Sequence, residues 1–287
     1  MLTAGRYDVC SVVTGHIRLD GGAMFGVVPR VLWSRQFVPD EQNRILLATR
    51  SLVAVDRDAK RVILVDSGTG TKWDADAAAR YGVDPDPTAV ERALTERGLT
   101  ASDVTDVVVT HLHFDHNGGL MDWAAQAGGP TRLRYPNAVH WLHRRHWEHA
   151  HRPTLKDRAS FISHDFSGLE ASGQLRLIEG APPAPSIPGV RWELSEGHTP
   201  AQLLPLFEDP ERALLFVGDV FPTTGHLPPP WVMAYDNEPL RTIEEKCAVL
   251  DRCERSGLRL AFPHDPAVGV AEIDASDRRK PRVARAL

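Results

Sequence analysis

Cysteine is scarce in this chain: Cys10, Cys247 and Cys253 are the only three in 287 residues. An odd count without framework spacing excludes a disulfide scaffold and fits a reducing compartment, so a cytoplasmic location is expected. No apolar run approaches the roughly 18 residues that a membrane span needs. The opening MLTAGRYDVCSVVTG has no basic stretch leading into an apolar one, so no secretory signal is read and no membrane partner is expected. Positive charge is not in surplus either. A formal net charge of -5 argues against a nucleic-acid partner. The chain has no GxSxG, which excludes a serine-hydrolase elbow, and no HExxH. SGTGTK after RVILVD lacks the spacing of a nucleotide-binding phosphate loop.

Histidine, by contrast, is abundant, at thirteen. The rest, 42% hydrophobic and 25% charged, describes a globular chain long enough to bury a core without staples. SVVTGHIRL, RILLATRSLVAV and RVILVD are apolar or alternating and predict strands. A helix is predicted over 88–97, a short strand over 104–110 and a second helix over 120–127, ended by Gly128-Gly129. From 135 to 177 the pattern loosens into His, Arg and Trp, with no clean strand before LRLIE; it reads as a helical insertion or lid. A stiff loop follows at 182–188. Strands return in VRWEL, ALLFVGD and RLAFP, with a helix over 239–256 between the last two. Its stripe is read as Ile243, Cys247 and Leu250, with Cys247 and Cys253 as small core residues. The basic tail SDRRKPRVARAL reads as a solvated or docked terminus.

Four of these strands end by delivering a metal-type ligand. VVV leads into THLHFDHNGG, with His111, His113, Asp115 and His116; VRWEL leads to His198, ALLFVG to Asp219 and RLAFP to His264. A rigid sheet fixes the loop backbone at strand ends, where ligand sites are found. On an extended backbone His111 and His113 point the same way and can share one metal. Asp115 and His116 lie past the turn and can face a second. Imidazole and carboxylate suit a divalent ion such as Zn²⁺. Gly118 and Gly119 are expected to let the chain pack closely behind the loop and start a helix. His140, His143, His146 and His149 recur at i+3 steps; a polar helix face is the ordinary reading and a third metal site the alternative.

HLHFDH with downstream GH, GD and PHD resembles the metallo-β-lactamase-fold hydrolases with a dinuclear centre. FGVVPRVLW, DEQNRILLATRSLVAV, ILVDSGTG, THLHFDHNGG and MAYDNEP resemble, within them, the branch of quorum-quenching N-acyl-homoserine lactonases and methyl parathion hydrolase. The resemblance implies an α/β fold, a four-layer αβ/βα sandwich of two mixed sheets with outer helices, in one hydrolase domain over 1–287 with the lid at 135–177. It implies two divalent ions, one held by His111, His113 and His198, the other by Asp115, His116 and His264, with Asp219 bridging. Asp66 matches a carboxylate that orients a ligand histidine. Met24, Phe25 and Phe114 fall where relatives place the substrate pocket. Two departures stand out. Relatives often read GHTxGH where this chain has GHTPAQ, so the turn at Ala201-Gln202 is expected to differ. The lactonases carry a tyrosine three residues beyond the bridging aspartate; here that residue is Pro222, and Tyr235 is the candidate substitute.

The expected activity is hydrolysis of a lactone or other carboxylic ester of a small-molecule substrate, with Asp115 orienting the nucleophile and shuttling a proton. A phosphotriesterase or thioester hydrolase is the alternative on the same site. From other classes come a ligand-binding protein on a retired hydrolase fold and an oxygen-reducing di-iron protein; no flavodoxin-like stretch follows His264 to support the latter. A homodimer is left open.

Overall fold

The structure is a computed structural model that describes residues 2–180 and 186–287. Most of the stiff loop read at 182–188 therefore lies outside the described residues. The first sheet collects β1 (Leu2–Ala4), β2 (Tyr7–Asp20), β3 (Arg44–Asp56), β4 (Arg61–Val65), β5 (Asp84–Pro85) and β6 (Asp106–Val108). After a separate hairpin of β7 (Met121–Trp123) and β8 (Thr131–Leu133), it gains β9 (Val139–His143) and β10 (Leu175–Ile178). Its order is β1-β2-β3-β4-β6-β9-β10, with β5 on β2. The β1–β4 half is antiparallel, whereas β4, β6, β9 and β10 run parallel.

The second sheet runs in chain order: β11 (Val190–Ser195), β12 (Gln202–Phe207), β13 (Leu214–Phe216), β14 (Arg259–Ala261), β15 (Val270–Asp274) and β16 (Arg282–Ala286). Only β13 and β14 pair in parallel, because α7 (Pro239–Ser256) crosses between them. The basic tail is thus docked: β16 pairs with β15 as an edge strand, and Arg282 and Arg285 meet Asp274 and Glu272.

The sheets face each other. Leu52, Ile63, Val65 and Val108 of the first interdigitate with Trp192, Leu203, Phe207 and Phe216 of the second in one buried cluster. Helices α1 (Gly21–Phe25) and α2 (Arg30–Trp33) follow β2, α3 (Ala75–Tyr81) follows β4, and a second cluster covers the outer face of the first sheet, where Val90 and Leu94 of α4 (Ala89–Thr95) and Trp147 of α6 (Arg144–His151) pack. A third lies under α7. Two sheets with helices outside make the expected four layers. The helix α7 matches its predicted span, and Gly257 ends it in the left-handed conformation at φ 63°. Its buried stripe, however, is Thr242, Lys246, Val249, Leu250 and Cys253; Cys247 is exposed.

Two further expectations fail. Residues 120–127 form no helix; Met121–Trp123 pairs with Thr131–Leu133. The 135–177 stretch is not a wholly helical insertion, since β9 enters the first sheet between β6 and β10. The histidine row is split accordingly: His140 and His143 lie on β9, His146 and His149 on α6. Among the described residues none of them joins a metal-type grouping, so the third-site reading falls.

Candidate metal centre and pocket

The expected ligands converge at one edge of the sandwich. Three groupings have ligand atoms within 4.8 Å of one another: His111, His113 and His198; His111, His116 and Asp219; and Asp115, His116 and His264. The short helix α5 (Phe114–Asn117) turns the chain between His113 and His116. Gly118 ends this helix rather than starting one. A Cβ on Gly118 would stand 2.1 Å from the Thr69 carbonyl oxygen, and one on Gly119 would stand 2.2 Å from that of Ser67, so only glycine allows this approach.

Hydrogen bonds fix which nitrogens face inward. His116 Nδ1 donates to Asp66 Oδ2 at 2.8 Å, His198 Nδ1 to Asp236 Oδ1 at 2.9 Å, and His264 Nδ1 to the Ala48 carbonyl at 2.9 Å. Thr110 Oγ1 donates to Asp66 and so accepts from His111 Nδ1 at 3.0 Å. In the neutral, ligand form each of these four rings therefore presents a bare Nε2 lone pair. Yet His116 Nε2 and His264 Nε2 lie 2.9 Å apart, and each is 3.2 Å from Asp219 Oδ1. His198 Nε2 is 3.0 Å from His113 Nδ1 and 3.3 Å from Asp219 Oδ2. The His111 Nε2 and Asp219 Oδ1 atoms are buried without a hydrogen-bond partner. In that form acceptors face acceptors, which repel unless a proton or a metal ion sits among them, and the set of imidazoles and carboxylates fits divalent metal ions.

Electrostatics carry the same demand. Burial favours the uncharged Asp219, but His116, His264 and His198 outweigh it and hold the carboxylate well below its usual range. Burial also opposes a charge on His116, yet Asp219, Asp115 and the bond to Asp66 lift it well above 6.5. His111 and His113 go the other way, kept neutral by burial and by neighbouring imidazoles. A neutral imidazole is the ligand form.

Behind this ring lie residues whose roles the sequence did not give. Asp236, in MAYDNEP, orients His198. His146 accepts the Leu112 N–H at Nε2 (2.8 Å) and donates from Nδ1 to the Pro200 carbonyl (2.9 Å), clamping the HLHFDH loop to the GHTPA loop. Only the spacing of His146 was visible in sequence, and spacing alone suggested a helix face.

The centre forms the floor of a pocket that exposes His113, Asp115, His198, Asp219 and His264. Leu19, Met24, Leu47, Phe114 and Met233 supply apolar walls, and Lys156, Ser160 and Tyr235 polar ones. The expected Met24, Phe114 and Tyr235 are thus on the pocket. Phe25 is not: it is fully buried, stacked on His226 at 4.5 Å and on Trp33 at 5.6 Å. Trp141 and Trp147 do not reach the pocket either; Trp141 lies against Trp192, and its Nε1 donates to Asp106. Burial, with the fields of Asp20, Asp115 and Tyr81, pushes the Tyr235 hydroxyl up to about 12, so it stays a proton donor at neutral pH.

A profile of the metallo-beta-lactamase superfamily matches residues 48–278, most of the chain and all seven clustered residues. The chain belongs to the metallo-beta-lactamase superfamily. A probable metallo-hydrolase of Mycobacterium tuberculosis is 29% identical over 195 residues, 61% of this chain and 59% of that protein. The N-acyl homoserine lactonase AttM of Azorhizobium caulinodans is 24% identical over 191 residues, 59% of this chain and 61% of AttM. The chain thus matches about three-fifths of the length of these curated relatives. Among solved structures, a probable metal-dependent hydrolase from Staphylococcus aureus superposes with a TM-score of 0.87 at 28% identity, covering 100% of this chain and 98% of that one. The dizinc quorum-quenching lactonase AidC, with a product bound, has a TM-score of 0.79 at 17% identity, covering 100% and 96%; it shares the fold.

In the GHTPAQ turn Ala201 takes a left-handed conformation, φ 55°, of the kind glycine favours. Gln202 contributes its Oε1 as the acceptor for the Asp219 backbone N–H at 3.1 Å. Pro222, at the position of the missing phenol, accepts the His264 N–H through its carbonyl at 2.9 Å.

Among the described residues no helix is long and apolar enough to cross a membrane.

Proposed function

We propose that this metallo-hydrolase uses two divalent ions, Zn²⁺ foremost, to hydrolyse a lactone or other carboxylic ester of a small molecule. The observation that carries the two-ion reading is the convergence of ligand atoms on Asp219: His116 and His264 Nε2 meet Oδ1, and His198 Nε2 meets Oδ2. His111, His113 and His198 would hold one ion and Asp115, His116 and His264 the other, with Asp219 touching both. Such ions supply Lewis acidity and bring the pKa of a bound water down to about 7.

The chain's own groups do the rest. Asp66, Asp236 and the Ala48 carbonyl lock three ligand rings in one tautomer, which keeps the donor geometry fixed before substrate arrives. Asp115, which lines the pocket, would take a proton and pass it to the leaving alkoxide. Tyr235, protonated at working pH, donates toward the carbonyl oxygen that gains charge. Leu19, Leu47, Met24 and Met233 give an acyl chain an apolar wall.

The test is a side-by-side kcat/KM comparison on metal-loaded protein of an acyl-homoserine lactone, an aryl ester, a thioester and a phosphotriester. Lactone or aryl ester is expected to lead, and chelation to abolish turnover reversibly. A phosphotriester lead of more than tenfold overturns the carbonyl reading. Protein that purifies with almost no metal, yet turns esters over, overturns the metal reading.

A further inference from the structure

Lys246 occupies a position where the period of α7 calls for an apolar residue. It lies on the stripe with Val249, Leu250 and Cys253 and is 0% exposed. Its Nζ donates to the carbonyls of Pro228, at 2.9 Å, and Trp231, at 2.6 Å, and stands 5.3 Å from the centre of the Phe221 ring. Among the described residues no carboxylate pairs with it; Asp236 and Cys247 act only through their fields. Burying an ammonium without a counter-charge is costly. Burial brings this one down to about 7, with the fields of Asp236 and Cys247 opposing. The neighbouring His226 is itself held neutral by burial and by Lys246. A neutral amine still carries two N–H groups, so both carbonyls stay satisfied in either protonation state.

The two carbonyls belong to the loop that builds one side of the pocket. Just beyond Trp231 come Met233 and Tyr235 on the pocket wall, then Asp236 on His198. The loop is tied at its far end by Asn237 N–H to the His198 carbonyl (3.0 Å), and midway by Ala234 N–H to the Ala23 carbonyl (2.8 Å). Lys246 supplies the tie at the near end. We propose that Lys246 is a positioning residue that sets the path of the 228–236 loop and thereby the placement of Met233 and Tyr235 against substrate. The inference rests on the hydrolase reading for its kinetic consequence but not for its structural one.

Lys246→Met is therefore expected to raise KM for the best ester at least tenfold, through the displaced Met233 wall, and to lower kcat as Tyr235 moves off the carbonyl oxygen. Bound metal should stay at the wild-type level. Hydrogen exchange should speed up in 228–236 and not in β12. Wild-type KM together with wild-type exchange in 228–236 overturns the proposal, and so does exchange that rises equally across the second sheet. Should Lys246→Met fail to fold, Lys246→Gln, whose shorter stem leaves its N–H groups about one bond short of both carbonyls, is read by the same two measurements and criteria. Should the wild type hydrolyse no ester, the hydrolase reading fails, and the exchange measurement alone decides the role of Lys246.

Discussion

Gln202 Oε1 accepts the backbone N–H of Asp219 at 3.1 Å, reaching from the first residue of β12 to the turn after β13. That N–H is buried, so its acceptor is worth more than an exposed one. Gln202→Leu should cost about 1–3 kcal/mol for the unpaired donor. It should also weaken metal binding, because the Asp219 carboxylate loses its backbone anchor. Urea unfolding of metal-replete protein and competition with a metal indicator check the two effects separately.

Asp66 and Asp219 are expected to differ in kind. Asp66 binds His116, the Thr110 hydroxyl and the Thr110 N–H, all at 2.8 Å, and acts on metal only through them. Asp66→Ala should lower metal affinity about 10–100-fold. Asp219→Ala removes the carboxylate that touches both halves of the centre and should leave less than one ion per chain with no measurable turnover. Elemental analysis and kcat on the two variants decide; equal losses contradict the assignment.

Metal binding should release protons. In the metal-free chain burial opposes a charge on His116, but Asp219, Asp115 and Asp66 raise its pKa well above 6.5 and so favour its protonated form. A ligand nitrogen must give that proton up, so metal affinity should fall as pH falls. Titration calorimetry in buffers of different ionisation enthalpy should show net proton release on metal binding. The metal-free protein responds in the opposite sense. A raised folded-state pKa gives stability that is fully present below pH 6.5 and is lost as pH climbs through the raised value. Its denaturant midpoint should therefore decline on that limb.

Ala201 is held at φ 55°, a region that costs an L-residue roughly 1–2 kcal/mol. Glycine has no such cost but loses more chain entropy on folding, about 0.5–1 kcal/mol. Ala201→Gly should therefore stabilise by up to about 1 kcal/mol without changing kcat. Ala201→Val, branched at Cβ, should destabilise. Chemical unfolding of the metal-loaded variants measures both.

The helix 239–256 and the ligand set were legible because each has a local signature: a 3.6-residue period with a glycine stop, and histidines two apart at a strand end. Lys246 defeated the stripe assignment. A lysine on the buried face made the period look shifted by one residue, which brought Cys247 inward in sequence and outward in fact. The β9 strand was lost for a related reason. VHWLH mixes polar and aromatic residues, yet His140, Leu142 and His143 are all buried, since covered parallel strands need not alternate. Asp236 could not be read because its role depends on a loop returning to His198 from 38 residues away.

The donors come from both sheets: His111, His113, Asp115 and His116 follow β6 of the first, while His198, Asp219 and His264 follow β11, β13 and β14 of the second. Neither half of the chain owns a complete coordination sphere. An ion retained by the protein is therefore a certificate that both halves have folded and met in register. Metal retained by a variant altered outside the ligand set and its orienting residues therefore reports assembly of the sandwich as well as the integrity of the site.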